Sequence, residues 1–198
     1  MNNNPLSGLV VCGGESSRMG VDKSLIDYHG KAQRYYLYEM LESLCDQVYI
    51  SCNEHQSSSI PEYYQVIQDH DNYKNTGPMA ALLSAFDKYP DGSLLVVGCD
   101  YPLIKKDDLT RLIEASKSDI KALSYYNPEN QIREPLLAIY KSECAPFLMS
   151  QYQSGNYSLN DFLKSVDALI IKPDSIQILK SIDTPESYLR TISELKKG

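Results

Sequence analysis

The chain has no tryptophan, and only three phenylalanines and three histidines among its 198 residues. None of the histidines lies in a triad-like context, which argues against histidine-based acyl transfer. No apolar run approaches the ~20 residues needed to cross a bilayer. Basic residues are outnumbered, 19 Lys and Arg against 26 Asp and Glu, for a formal net charge of −7. An acidic surface excludes general binding to nucleic acid or to an anionic membrane, both of which need a basic field. It still leaves room for one local basic pocket. The five cysteines, at positions 12, 45, 52, 99 and 144, are odd in number and contain no CxxC pair. That spacing suggests neither a disulfide framework nor a zinc site. The opening "MNNNPLSGLVV" lacks the basic flank and long apolar segment of a secretory signal. The expected setting is therefore a reducing cytoplasm.

Apolar residues make up 42% of the chain and charged residues 23%, enough for a substantial core and ordinary soluble usage. The length suits one domain over 1–198. Runs dense in Val, Ile and Leu predict strands at 7–12, 47–52, 64–69, 93–100, 120–126, 135–140 and 167–173. Their weak alternation suits strands covered on both faces. Helical stretches fall between them, at 33–44, 78–89, 106–116, 143–155, 158–166 and 184–197. Pro78 and Pro185 suit first helical positions, and Ser158 and Thr184 suit N-caps. The polar segment 53–63, "NEHQSSSIPEY", reads as a loop. Alternating strand and helix predicts an α/β fold, a single-domain three-layer α/β/α sandwich on a mainly parallel, Rossmann-like sheet. Ligands in such folds bind beyond the carboxyl ends of the strands. Cys12, Cys52 and Cys99 read as small core hydrophobes.

The first strand runs into "GLVVCGGESSRMGVDKSL" (8–25). Gly13 and Gly14 let the backbone turn sharply and come close to a ligand. Exposed N–H groups in such a turn cradle phosphate. Arg18 can fork onto phosphate oxygens, and Lys23 supplies a point charge. A tight strand-to-helix turn with solvated cations is the other reading. Two familiar nucleotide loops are absent. Lys23-Ser24 follows Asp22, so the Gly-Lys-Ser/Thr pattern fails, and there is no GxGxxG.

The segment does match G-G-x-x-S-x-R-M-G-x-D-K. It resembles the opening signature of nucleotidyltransferases with the nucleotide-diphospho-sugar transferase fold. The Asp22-Lys23 ending is most similar to the molybdenum cofactor guanylyltransferases (MobA-like). The resemblance continues in order through "CNEHQ" (52–56), Asp69, "TGPMAAL" (76–82), "VVGCDYPLI" (96–104), "REPLLAIY" (133–140) and "SIDTPESY" (181–188). Ser181 and Asp183 stand where the family usually has asparagine, and Ala81 where it usually has glycine.

Asp100 follows the most apolar strand, where a carboxylate is placed either to hold a hard cation or to shape a turn before Tyr101-Pro102. Asn53 and Asp69 end adjacent strands, as groups that read a base or as strand-end caps. The resemblance implies that Asp100 binds Mg²⁺. It implies that Val11, Cys12, Gly13, Gly14, Asn53 and Asp69 bind GTP, with Lys23 and Arg18 facing its phosphates. The implied acceptor is molybdopterin, and the implied reaction is transfer of GMP with release of pyrophosphate. Residues 133–140 and 181–188 are the expected acceptor wall, with Arg133 near its phosphate. A molybdoenzyme or its chaperone is the implied partner. Rival readings are a cytidylyltransferase of the same cofactor, a sugar-phosphate nucleotidyltransferase and a non-catalytic nucleotide-binding domain.

Overall fold

Successive apolar residues in a strand need cover on both faces, and the first strand obtains it. β1 (Leu6–Val11) sends Leu9 and Val11 to one face of the sheet and Val10 to the other, all buried. β2 (Gln47–Cys52), β3 (Val66–Gln68), β4 (Ser93–Gly98), β5 (Ala122–Asn127), β6 (Ile132–Tyr140) and β7 (Leu169–Ile171) complete a 7-stranded sheet, ordered β3-β2-β1-β4-β6-β5-β7. This computed structural model describes residues 5–12, 22–116, 119–182 and 185–195. β3, β2, β1 and β4 run parallel to one another, and β6 lies antiparallel between β4 and β5. The expected mainly parallel sheet is therefore present, with one reversed strand inside it.

The helices are α1 (Gln33–Glu42), α2 (Glu54–Ser57), α3 (Pro78–Lys88), α4 (Lys106–Ala115), α5 (Ala145–Gln153), α6 (Leu159–Ser165) and α7 (Pro185–Leu195). One core joins Met79, Leu82 and Phe86 of α3, Leu148 of α5 and Phe162 of α6 to Leu9, Val11, Leu94 and Val96. The opposite core joins Leu37 and Leu41 of α1 and Leu109 and Leu112 of α4 to Val10, Ile50, Leu95 and Val97. These two cores make the three layers. Cys12, Cys52 and Cys99 are buried among them. Among the described residues no helix is long and apolar enough to cross a membrane.

Two local signals gain physical detail. Ser158 caps α6, its Oγ accepting from the Asp161 N–H at 3.2 Å. Pro78 opens α3, where its missing N–H costs nothing. Thr184 lies outside the described residues. The segment from Asn53 is not all loop, because Asn53 and Gln56 form a reciprocal capping box that closes the short helix α2. β3 is shorter than the predicted 64–69, and β6 begins earlier than 135, at Ile132.

α1 packs directly on β1 because residue 8 has no side chain. A Cβ there would sit 3.0 Å from Leu41 Cβ and 3.3 Å from Val48 Cγ2. Overpacking of this kind costs about 1–3 kcal/mol. Gly8→Val should therefore lower the thermal midpoint, at roughly 2–4 °C per kcal/mol for a chain this size. An unchanged midpoint would show that α1 has room to move away.

Candidate active site

Parallel register lays the floor of the site. Val11 pairs with Ser51 on β2 and with Gly98 on β4, while Cys52 pairs with Gln68 on β3. The residues that follow, Cys12, Asn53, Asp69 and Cys99-Asp100, therefore emerge side by side at one edge. The ladder continues past the strands: Cys12 N–H donates to Ser51 O at 3.0 Å, Cys99 N–H to Val11 O at 3.1 Å and Asp69 N–H to Cys52 O at 3.1 Å. Strand order reverses between β1 and β4, which is where open α/β sheets leave a crevice. Gly13, Gly14 and Arg18 lie outside the described residues.

Asp100 turns back over the tip of β4 because residue 98 is glycine. A Cβ at Gly98 would collide with Asp100 Oδ1 and sit 3.1 Å from Leu136 Cβ. The Asp100 carbonyl accepts from Ile182 N–H at 3.0 Å, tying the segment that leads into α7 to this tip. Among the described residues, no group of three or more His, Cys, Asp or Glu could hold a metal by itself. A hard carboxylate of this kind suits a cation that takes its other ligands from substrate phosphates and water. Cys12 Sγ and Cys99 Sγ lie 3.4 Å apart at the same tips. Burial, then the neighbouring Cys12, pushes the Cys99 thiol well up, so it stays neutral and serves packing.

A network missed in the sequence connects these tips. Asp22 Oδ1 accepts from Ser24 N–H at 2.9 Å and from Ser24 Oγ at 2.7 Å, capping the helical turn Lys23–Leu25. Asp22 Oδ2 accepts from Gln56 Nε2 at 2.9 Å, and the same nitrogen lies 3.4 Å from the Cys12 carbonyl. Gln56 and Asp22 thus fix Lys23 relative to the tips of β1 and β2. The signal that could have revealed Gln56 is its place three residues after a capping asparagine. Asn53 Oδ1 is used by that cap, accepting from Gln56 N–H at 2.9 Å. Its amide Nδ2 makes no hydrogen bond among the described residues.

A cleft of about 600 Å³ opens beside these groups, lined by Asn53, Gln68, Asp69, Lys74, Gly77 and Ala80. That is within the usual size of a small-molecule site. Ala81, where the resembling family has glycine, is buried in the core beneath. Asp69 is half-buried at the rim, and Ser51 Oγ donates to its Oδ1 at 3.0 Å. Burial raises its pKa above the ordinary 3.8, and the Ser51 hydrogen bond partly offsets that. Arg133 is the second residue of β6, and its Nε is buried without a hydrogen-bond partner among the described residues. Ser181 is half-buried, and Asp183 lies outside the described residues.

The family model described as the MobA-like NTP transferase domain matches residues 8–169. The chain belongs to that family. It is 32% identical over 185 residues to a molybdenum cofactor biosynthesis bifunctional protein of Synechocystis, covering 93% of this chain and 53% of that one. The chain thus spans about half the length of that relative. It is 29% identical to the molybdenum cofactor guanylyltransferase of Pseudomonas fluorescens, across 96% of both chains. Molybdopterin-guanine dinucleotide biosynthesis protein A of Archaeoglobus fulgidus shares the fold, with a TM-score of 0.80 and 22% identity over 97% of this chain and 100% of that one. This transferase therefore has the nucleotidyltransferase fold expected from its opening loop.

Two variants of the transferase follow from the geometry. Gly98→Ala should displace the Asp100 carboxylate and reduce nucleotidyl transfer far more than it reduces stability, by comparison of kcat with thermal midpoint. Equal kcat would mean the carboxylate is not needed where it stands. Asp69 has a raised folded pKa, so its ionised form costs stability above that pKa. The cost fades as pH falls towards 3.8, the unfolded value. Asp69→Asn should therefore raise the midpoint at pH 7 while weakening nucleotide binding, and its stability gain should vanish in acid. A destabilised variant at pH 7 would contradict that balance.

Proposed function

We infer that this chain is a molybdenum cofactor guanylyltransferase. It transfers GMP from GTP to the terminal phosphate of molybdenum-molybdopterin and releases pyrophosphate. The observation that carries the reading is the row of Asn53, Asp69, Cys12 and Asp100 across four neighbouring parallel strand tips. It stands in a chain that is 29% identical, along nearly its whole length, to a protein named for this activity.

The cleft beside β2 and β3 takes the guanine. Asp69 accepts from the N–H edge of the base, which cytosine would present differently, and the Asn53 amide donates to an acceptor on base or ribose. Val11, Cys12, Gly13 and Gly14 are the residues of the first loop that bind the nucleotide. Lys23 and Arg18 neutralise the triphosphate, with Lys23 held in place by the Asp22–Gln56 network. Asp100 would hold Mg²⁺, with the remaining ligands left to phosphate and water. Bound there, the metal supplies positive charge to the phosphates and to the departing pyrophosphate. The acceptor is a phosphate monoester whose second pKa is near ~6, so it is mostly a dianion at neutral pH. Its oxygen bonds to the α-phosphorus as the bond from that phosphorus to the bridging oxygen of the pyrophosphate breaks. No proton has to be removed from the nucleophile, so the reaction asks no general base of the chain, His55 in the cleft wall included. The work left to the chain is positioning and charge stabilisation. A cytoplasmic setting and delivery to a molybdoenzyme or its chaperone complete the reading.

Thermal stabilisation by GTP, CTP, ATP and UTP, each with Mg²⁺, tests the base assignment. Ligand at 100 times its Kd stabilises by about 2.7 kcal/mol, enough to resolve. A shift with GTP alone is expected, and a preference for CTP would overturn the guanylyl assignment. Lys23→Ala and Asp100→Asn should each lower turnover about 100-fold or more with the fold intact. Near-normal rates in either would remove that residue from the mechanism.

A further inference from the structure

Two tyrosines outside both cores flank the catalytic tip. Tyr28 belongs to the turn before α1, and Tyr188 to the first half of α7. Their rings meet edge to face with centroids 5.7 Å apart. Both are half-buried, and neither is part of the clusters that hold the layers together. Each is anchored to the tip of β4. His29, next to Tyr28, places its Nε2 2.8 Å from the Pro102 carbonyl and stacks on Tyr36 at 3.9 Å. Ile182, ahead of α7, donates its N–H to the Asp100 carbonyl at 3.0 Å. Tyr28 is close enough to Asp100 to feel its charge: burial first, then Tyr188 and Asp100, push the phenol up. It therefore remains protonated.

The layout of the tips leaves one side for the acceptor. The base cleft lies at β2 and β3, and β1 and Lys23 take the phosphates in the middle. Asp100 lies at β4, the far side of that row. An acceptor phosphate that reaches the α-phosphorus from the side opposite the base approaches at β4, where the loop carrying Tyr28 and the segment leading to Tyr188 are both tied. Partly exposed aromatic faces at that approach suit a flat heterocycle, since stacking on aromatic side chains is favourable and tolerant of ring type.

We propose that the edge-to-face pair of Tyr28 and Tyr188 forms an aromatic platform on which the fused-ring heterocycle of the acceptor stacks, presenting its phosphate to the Asp100 tip. The inference rests on the pterin-acceptor reading above and adds residues to it. Tyr28→Ala and Tyr188→Ala should each weaken acceptor binding by about tenfold or more. GTP binding should stay within about twofold, because neither ring reaches the base cleft. Tyr28→Phe and Tyr188→Phe should bind as wild type does, because stacking needs the ring and not the hydroxyl.

The test is titration of the full chain with neopterin monophosphate, a fluorescent pterin phosphate, in the presence of GTP and Mg²⁺, read as fluorescence quenching. GTP affinity is measured in parallel by calorimetry, and folding by thermal midpoint. Loss of quenching in both alanine variants, with GTP affinity kept and both phenylalanine variants intact, is the expected result. Alanine variants that quench as wild type does would overturn the platform and leave the acceptor reading standing. A wild-type chain that binds GTP but not the pterin phosphate would overturn the acceptor reading and the platform with it.

Discussion

The register that sets Val11 beside Ser51 on one side and Gly98 on the other decides where every polar group of the site stands. A shift of one residue in either pair would turn each tip side chain to the other face of the sheet. Register is held from below by two dry cores. Leu9 and Val11 belong to one, Val10 and Cys12 to the other, and neither set tolerates water. The hydrophobic layers thus specify, through backbone pairing alone, that Asp100 emerges next to Cys12 and that Asn53 emerges next to Asp69. Function adds polar residues at the tips without asking the core to accommodate any of them.

Much of this was legible in the sequence because it rests on local chemistry. Dense Val, Ile and Leu runs mark strands buried on both faces, and a proline or serine at a helix start marks its own boundary. The residues that the tips bring together could be named from the ends of those runs. What stayed hidden depends on distant partners. Nothing in "REPLLAIY" says that β6 reverses between two strands, because antiparallel and parallel strands here bury the same residues. The capping box of Asn53 and Gln56 is written in the spacing, yet the polar run around it reads as loop. The bond from Gln56 to Asp22 joins residues 34 apart, and no local pattern announces it. Tyr188 closes the expected acceptor segment 181–188, but Tyr28 is one of 16 tyrosines, and only the tertiary fold pairs the two.

Site polarity is graded across the sheet. At the β2 and β3 side, Asp69 is kept half-buried with a single serine donor, a costly arrangement in the free protein that a ligand donor would relieve. In the middle, Asp22 spends both carboxylate oxygens on neighbours and so serves to hold Lys23. At β4, glycine at 98 gives the Asp100 carboxylate space that any side chain would fill. The Cys12 and Cys99 thiols between these tips are buried and close-packed, and burial holds the Cys99 thiol neutral. The same division places stability cost where nucleotide binding can offset it.

The account turns on one reaction at these tips. The most direct measurement incubates the full chain with Mg²⁺, molybdopterin and an equimolar mixture of GTP and CTP, and identifies the pterin product by mass spectrometry while pyrophosphate is quantified. The account requires the guanine dinucleotide of the pterin, with one pyrophosphate released per molecule formed. A cytosine dinucleotide, or nucleotide binding with neither dinucleotide nor pyrophosphate, would contradict it.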